Sequence, residues 1–143
     1  MAAVSRSVLV RRCVDDVAKV VVNPEVVLPI IGGFGRFDLI SRNPDGSQEW
    51  DLYLKVGTIH VGGRVLVEPP SQTSLVWASQ RGTHQQGRIE VAPDGDETVV
   101  TMSVAAEFAG ALTGWLTSLF ADGIVGRHIE AGLQQLRHHV EFG

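Results

Sequence analysis

In the last third of the chain, a strand-like segment from Glu97 to Phe108 runs through a hinge of small residues into one long apolar helix pattern ending near Phe142. Upstream of it, turn signals recur about every ten residues: Asn43-Pro44-Asp45-Gly46, Gly57, Glu68-Pro69-Pro70, Arg81-Gly82 and Pro93-Asp94-Gly95-Asp96. Strands joined as hairpins and closed by one long C-terminal helix leave few ways to bury apolar surface. A sheet of about seven strands wrapped around that helix, with a hollow between them, is the architecture this order predicts.

Alternation assigns the faces. Trp50, Leu52, Leu54 and Val56 share one side, as do Ile59, Val61, Val65 and Val67; Leu75 goes with Trp77, and Val100, Met102, Val104, Ala106 and Phe108 follow. One face is apolar and the other mixed polar, the pattern of an antiparallel sheet covered on one side. Val4, Val8 and Val10 mark an opening strand. Asp15 or Asp16 is placed to cap a short helix through Val22, and Asn23-Pro24 starts a second, with Asn as the cap and Pro in the first turn. Pro29 and Gly32-Gly33-Phe34-Gly35 then break the helical pattern and begin the sheet proper.

The terminal helix is expected to start between Ala111 and Trp115. Leu112, Leu116, Leu119, Phe120 and Ile124 give way to Ile129, Leu133, Leu136 and Val140, a stripe with spacings of three and four. The stripe drifts between its halves, and Gly123 and Gly126 at the changeover predict a bend.

At 143 residues and 44% hydrophobic, residues 1–143 read as a single α+β domain with a core of its own. A formal charge of -4 offers no general attraction to phosphate backbones, so nucleic acid is not an expected partner. The lone Cys13 cannot form an internal disulfide, and the charged N-terminal residues do not form an export signal, so a cytoplasmic location is expected. Glu107, Asp122 and four glycines interrupt the apolar stretch Val104 to Gly126, which argues against a membrane span. No cofactor or metal is expected: no His spacing matches a zinc motif, and the adjacent His138 and His139 do not face each other on a helix. Oligomeric state has no sequence signal.

Few polar residues share the apolar parity. Ser79 does, as does Gln85 with Gly87 and Ile89, whereas Asp51, Lys55, Arg64, Arg88, Glu90 and Glu107 fall on the other face. A bulge at Gly62-Gly63 would reverse the assignment beyond it. The candidate proton-moving groups are His60, His128 and Tyr53. His60 reads either as an outward residue on the sheet or as an inward ligand-orienting group, His128 lies at the edge of the helix stripe, and Tyr53 has outward parity. His84 beside a turn reads as solvated, and Arg36 with Asp38 as a surface pair. Gly32-Gly33-Phe34-Gly35 lacks the Lys-Ser/Thr of a nucleotide loop and reads as a bend. The uncharged stretch Phe108 to Phe120 is either core or a gate, a helix entry that opens to admit a hydrophobic ligand or that touches a membrane or partner while doing so.

The order strand, two short helices, six strands and long helix resembles the helix-grip fold of the START-related (SRPBCC) superfamily, which includes birch-pollen-allergen-like proteins and bacterial polyketide cyclase and lipid-transport proteins. The resemblance spans the whole chain and is carried by Ser5 to Arg12, Asn23-Pro24-Glu25, Glu97-Thr98-Val99-Val100-Thr101-Met102 and Gly132-Leu133-Gln134-Gln135-Leu136-Arg137. In many relatives an aromatic after the first helix marks the cavity floor; here Val26, Val27 and Leu28 occupy that place. The resemblance implies an internal cavity for lipids, polyketide intermediates or other hydrophobic compounds. The leading expectation is binding or transport of a hydrophobic small molecule, with Leu52, Leu54, Val65, Trp77, Ile89, Met102, Val104, Leu116, Phe120 and Ile124 as lining. The alternatives are a polyketide cyclase or dehydratase, and an interaction or regulatory module with a reduced cavity.

Overall fold

Alternating apolar residues become one curved sheet because each strand has a single face to hide. The computed structural model describes residues 2–32, 35–56, 59–82, 84–107 and 118–143. In chain order its elements are β1 (Ala2–Val10), α1 (Val14–Val21), α2 (Pro24–Ile31), β2 (Gly35–Arg42), β3 (Gln48–Val56), β4 (Ile59–Val67), β5 (Ser74–Gly82), β6 (His84–Asp94), β7 (Glu97–Glu107) and α3 (Ile124–Phe142). The strands form a seven-stranded sheet in the order β1-β7-β6-β5-β4-β3-β2, with every neighbouring pair antiparallel. Hairpin connections account for the whole order except β1, which the two helices carry away so that it pairs with β7 at the far edge.

The inward faces follow the period-two reading. Val8, Val10, Trp50, Leu52, Val65 and Val67 are buried, as are Leu75, Trp77, Ile89, Val91, Val100 and Met102. The β3–β4 ladder is continuous from Gln48↔Val67 to Val56↔Ile59, so Gly62-Gly63 does not bulge against β3. The register shift lies on the other side, where Arg64 pairs with Arg81 but Val65 pairs with Ser79, leaving Gln80 as the extra residue of β5. A second shift falls between Leu39 and Ser41. The bulge therefore belongs to the strand opposite the glycine pair. Between β2 and β3, Asp45 closes the turn by accepting from the Ser47 hydroxyl and N–H, which hold its carboxyl below the usual range.

The helix termini depart from the sequence reading in three places. Cys13, not an aspartate, is the N-cap residue of α1, without a side-chain bond; Asp15 and Asp16 lie in the first turn, where they meet the positive end of the helix dipole. α2 runs through Pro29 to Ile31, because its buried residues Val27, Leu28 and Ile31 hold it against the core despite the lost N–H. Its start is as expected: Asn23 Oδ1 accepts from the Glu25 N–H at 3.2 Å, with Pro24 in the first turn. Asn23→Ala should cost about 1 kcal/mol, seen as a lower urea midpoint with an unchanged slope.

The third departure concerns the last helix. Residues 118–121 are helical, then Gly123 adopts φ +78° and α3 begins at Ile124. The chain breaks and restarts at Gly123 rather than bending through it, because the left-handed conformation ends one helix and opens the next. The expected start between Ala111 and Trp115 lies outside the described residues.

Along α3, Val125, Ile129, Leu133 and Leu136 are buried, and the helix lies chiefly over β1 and α2. Two glycines permit this approach. A Cβ on Gly132 would come within 3.0 Å of the Ile31 carbonyl, and one on Gly126 within 2.7 Å of the Arg6 guanidinium. Arg6 reaches up from β1 to Glu130 at 2.8 Å, and Arg11 N–H donates to the Glu141 carboxylate at 3.0 Å. The terminal helix is thus tied to the sheet edge at its middle and its end.

Candidate functional site: a cavity under the sheet

α3 rests on an edge strand and α2, so part of the concave sheet is not covered by it. One end of that face is filled: α1 packs against β5, β6 and β7, over the side of the sheet that holds Leu75, Ile89, Val91 and Val100. At the other end the sheet and α3 stand apart, and a cavity of about 120 Å³ remains.

Its sheet wall comes from Phe37 of β2, Leu52 and Leu54 of β3, and Val61 and Gly62 of β4. Trp77 of β5, Gln85 of β6, and Met102, Val104 and Ala106 of β7 complete that wall. The end of α2 contributes Ile31 and Gly32, and the opposite wall is Leu119, Phe120, Val125, His128, Ile129 and Gly132. Trp77 sets the shape. Its cross-strand partner is Gly87, and a Cβ there would lie 2.1 Å from the indole ring, so the ring lies over the bare glycine backbone. A Trp that is 2% exposed therefore presses against its own sheet.

Two polar side chains enter this apolar wall. Gln85 is directed inward by the parity of β6, opposite the small Ala106. Its backbone N–H donates to the Ser79 hydroxyl at 3.1 Å. That bond replaces a ladder bond near the Gln80 bulge, where the β5–β6 pairs stop at Ala78↔Gln86. The Gln85 side-chain amide is another matter: Nε2 is buried and has no hydrogen-bond partner among the described residues. Such a donor costs about 1–3 kcal/mol when unmet. The second polar group is His128, on the first turns of α3. Its Nδ1 lies 2.8 Å from the Ile124 carbonyl, which can only accept, so Nδ1 carries the proton of that bond.

The residues expected from sequence divide accordingly. Leu52, Leu54, Trp77, Met102, Val104 and Phe120 line the cavity. Val65 and Ile89 do not: both are fully buried on the correct face but packed away from the hollow. Ile124 also stands outside the lining; as the first residue of α3 it packs partly buried against the core. Leu116 lies outside the described residues, as does most of the Phe108–Phe120 stretch considered as a gate. Parity identifies a face, whereas the position of the void along that face depends on where α1 and α2 dock.

Among the proton-moving candidates whose side chains are described, only His128 is placed at the cavity. Tyr53 is half-buried on the outer face, across from Arg36 in the β2–β3 register. That face carries the Arg36–Asp38 pair at 2.6 Å and the Arg64–Asp51 pair at 2.6 Å; each carboxylate raises its arginine's pKa further. His60 belongs to β4, and its side chain lies outside the described residues. His84 is exposed, 3.3 Å from the Ser79 hydroxyl and 3.9 Å from the Glu107 carboxylate. Phe37 and Gly132 stand outside the lining expected from sequence yet border the cavity. Charged Arg36 and Asp38 on either side of Phe37 are the signal that turns it inward. Among the described residues, no three His, Cys, Asp or Glu side chains converge for a metal ion, and no helix is long and apolar enough to cross a membrane.

A seven-stranded antiparallel sheet gripping a C-terminal helix, with two short helices after the first strand and a cavity between, defines a helix-grip protein of the START-related class. The family model for polyketide cyclase / dehydrase and lipid transport matches residues 1–141, and the chain belongs to that family. The protein TTHA0849 from Thermus thermophilus shares the fold at a TM-score of 0.79 and 15% identity, covering 96% of each chain. The Zhui aromatase/cyclase from Streptomyces superposes at 0.71 with 16% identity, over 97% of this chain and 93% of that one. A START superfamily protein from Mycobacterium smegmatis does so at 0.65 and 17%, over 99% and 98%. No functionally curated protein matches the sequence.

Proposed function

We propose that the protein binds a hydrophobic small molecule in the cavity between sheet and α3, as a carrier or receptor. The observation that carries this reading is an apolar hollow with only Gln85 and His128 as polar residues among its described lining. Mostly apolar pockets with a few placed polar groups are the usual form of small-molecule sites, and burial supplies about 25 cal/mol per Å² of apolar area. Membership in a family of polyketide cyclases and lipid-transport proteins supports it.

Native mass spectrometry of protein purified without detergent tests the reading. The expected result is a reproducible extra mass that disappears on denaturation, or saturable binding when the protein is screened against lipids and aromatic polyketides. Neither a co-purified compound nor saturable binding would sink it.

A second reading, a cyclase or dehydratase, rests on His128, an imidazole held in the cavity wall by the Ile124 carbonyl. It requires turnover of a polyketide-like chain that His128→Gln abolishes while binding persists. The carrier reading predicts no turnover to lose.

A further inference from the structure

The cavity's polar equipment and its size together narrow the ligand, an inference that rests on the binding function above. We propose that it accepts a compact, neutral molecule of about one ring, carrying a hydrogen-bond acceptor such as a carbonyl oxygen, which accepts a hydrogen bond from Gln85 Nε2.

Size is the first argument. The hollow measures about 120 Å³, and an engineered protein cavity of roughly 150 Å³ with Leu, Ile and Phe walls holds a single benzene. The hollow is thus of the order of a single small ring, and a two-chain lipid is far larger than it.

Polarity is the second. Gln85 Nε2 is buried and has no partner among the described residues, in a wall otherwise built from groups such as Leu52, Trp77, Met102 and Val104. A pure hydrocarbon would leave that donor unmet; a ligand carbonyl would satisfy it. A site with a buried donor discriminates strongly against an analogue that lacks the matching acceptor, because the donor is then stranded. The wall offers no charged side chain among its described residues to meet a carboxylate or ammonium, so the ligand is neutral.

Acetophenone and ethylbenzene, nearly equal in shape but differing in the carbonyl, separate these requirements. Titrations followed by ¹H–¹⁵N NMR, at the Gln85 side-chain amide and the Trp77 indole N–H, should show acetophenone binding at least tenfold tighter. Gln85→Leu should bring the two affinities within about twofold, chiefly by weakening acetophenone. Gln85→Met, also without a donor, provides the same comparison should the leucine variant fold poorly. Equal affinities in the unaltered protein, or a preference for acetophenone that survives both substitutions, would overturn the role of Gln85. Failure of both probes alongside saturable binding of a long-chain lipid would overturn the size assignment and leave the binding function standing. Failure of every probe, with no co-purified compound, would bring down both.

Discussion

Gly87→Ala is expected to destabilise the protein by about 2–3 kcal/mol, the upper part of the range for overpacking a well-filled core. In an ordinary strand the same change is neutral or favourable, since alanine costs the unfolded chain less entropy than glycine. Here the added carbon would sit 2.1 Å from Cζ2 and 2.2 Å from Cε2 of Trp77, a side chain that is 2% exposed and has little room to retreat. For a chain of this length that cost corresponds to a fall in Tm of roughly 5–10 °C. A double-mutant cycle with Trp77→Leu supplies the control: a smaller side chain should relieve the clash, so the double variant should be more stable than the sum of the single costs implies. Additive costs, or a Gly87→Ala protein as stable as the original, would mean that the ring is not seated on the glycine. Because Trp77 also forms cavity wall, the substitution should alter ligand affinity as well as stability.

The second large effect has opposite signs on stability and binding. Ala106 is 5% exposed, faces the cavity and stands beside Gln85 in the β6–β7 register. Ala106→Leu should place its added carbons in the hollow, where they displace no protein atoms. Filling a void of this kind adds about 0.5–2 kcal/mol of stability, while occupying space the ligand requires. The expected outcome is an unchanged or higher Tm together with a loss of ligand affinity of about a hundredfold, or roughly 2.8 kcal/mol at about 1.4 per decade. Thermal melts and the same NMR titration read both. Loss of stability with binding intact would show that position 106 is close-packed core and that the ligand sits elsewhere. Together the two substitutions separate the parts of the inner face that are already full from the part left open.

Much of this architecture is legible in the order of residues because its causes are local. A strand with one buried face must alternate, so Trp50-Leu52-Leu54 and Val100-Met102-Val104 declare their inner sides without reference to any partner. Asn23-Pro24 declares a helix start for a similarly local reason, since the cap needs only a side-chain oxygen within reach of an N–H two residues on. Gln85 is legible as an inward residue by the same alternation, and His128 as one at the margin of the helix stripe.

Questions that depend on two distant segments meeting are not legible in this way. Whether Ile89 lines the void or packs solid depends on where α1 settles on the sheet. The role of Gly87 depends on a tryptophan ten residues away arriving directly across the ladder. Gly123 and Gly126 look alike in sequence, yet one takes a left-handed turn that restarts the helix and the other makes room for an arginine from β1. The unmet amide of Gln85 is a tertiary fact as well. Periodicity selects the face a side chain occupies, but satisfaction of its hydrogen bonds and the space in front of it are properties of the groups that close over it.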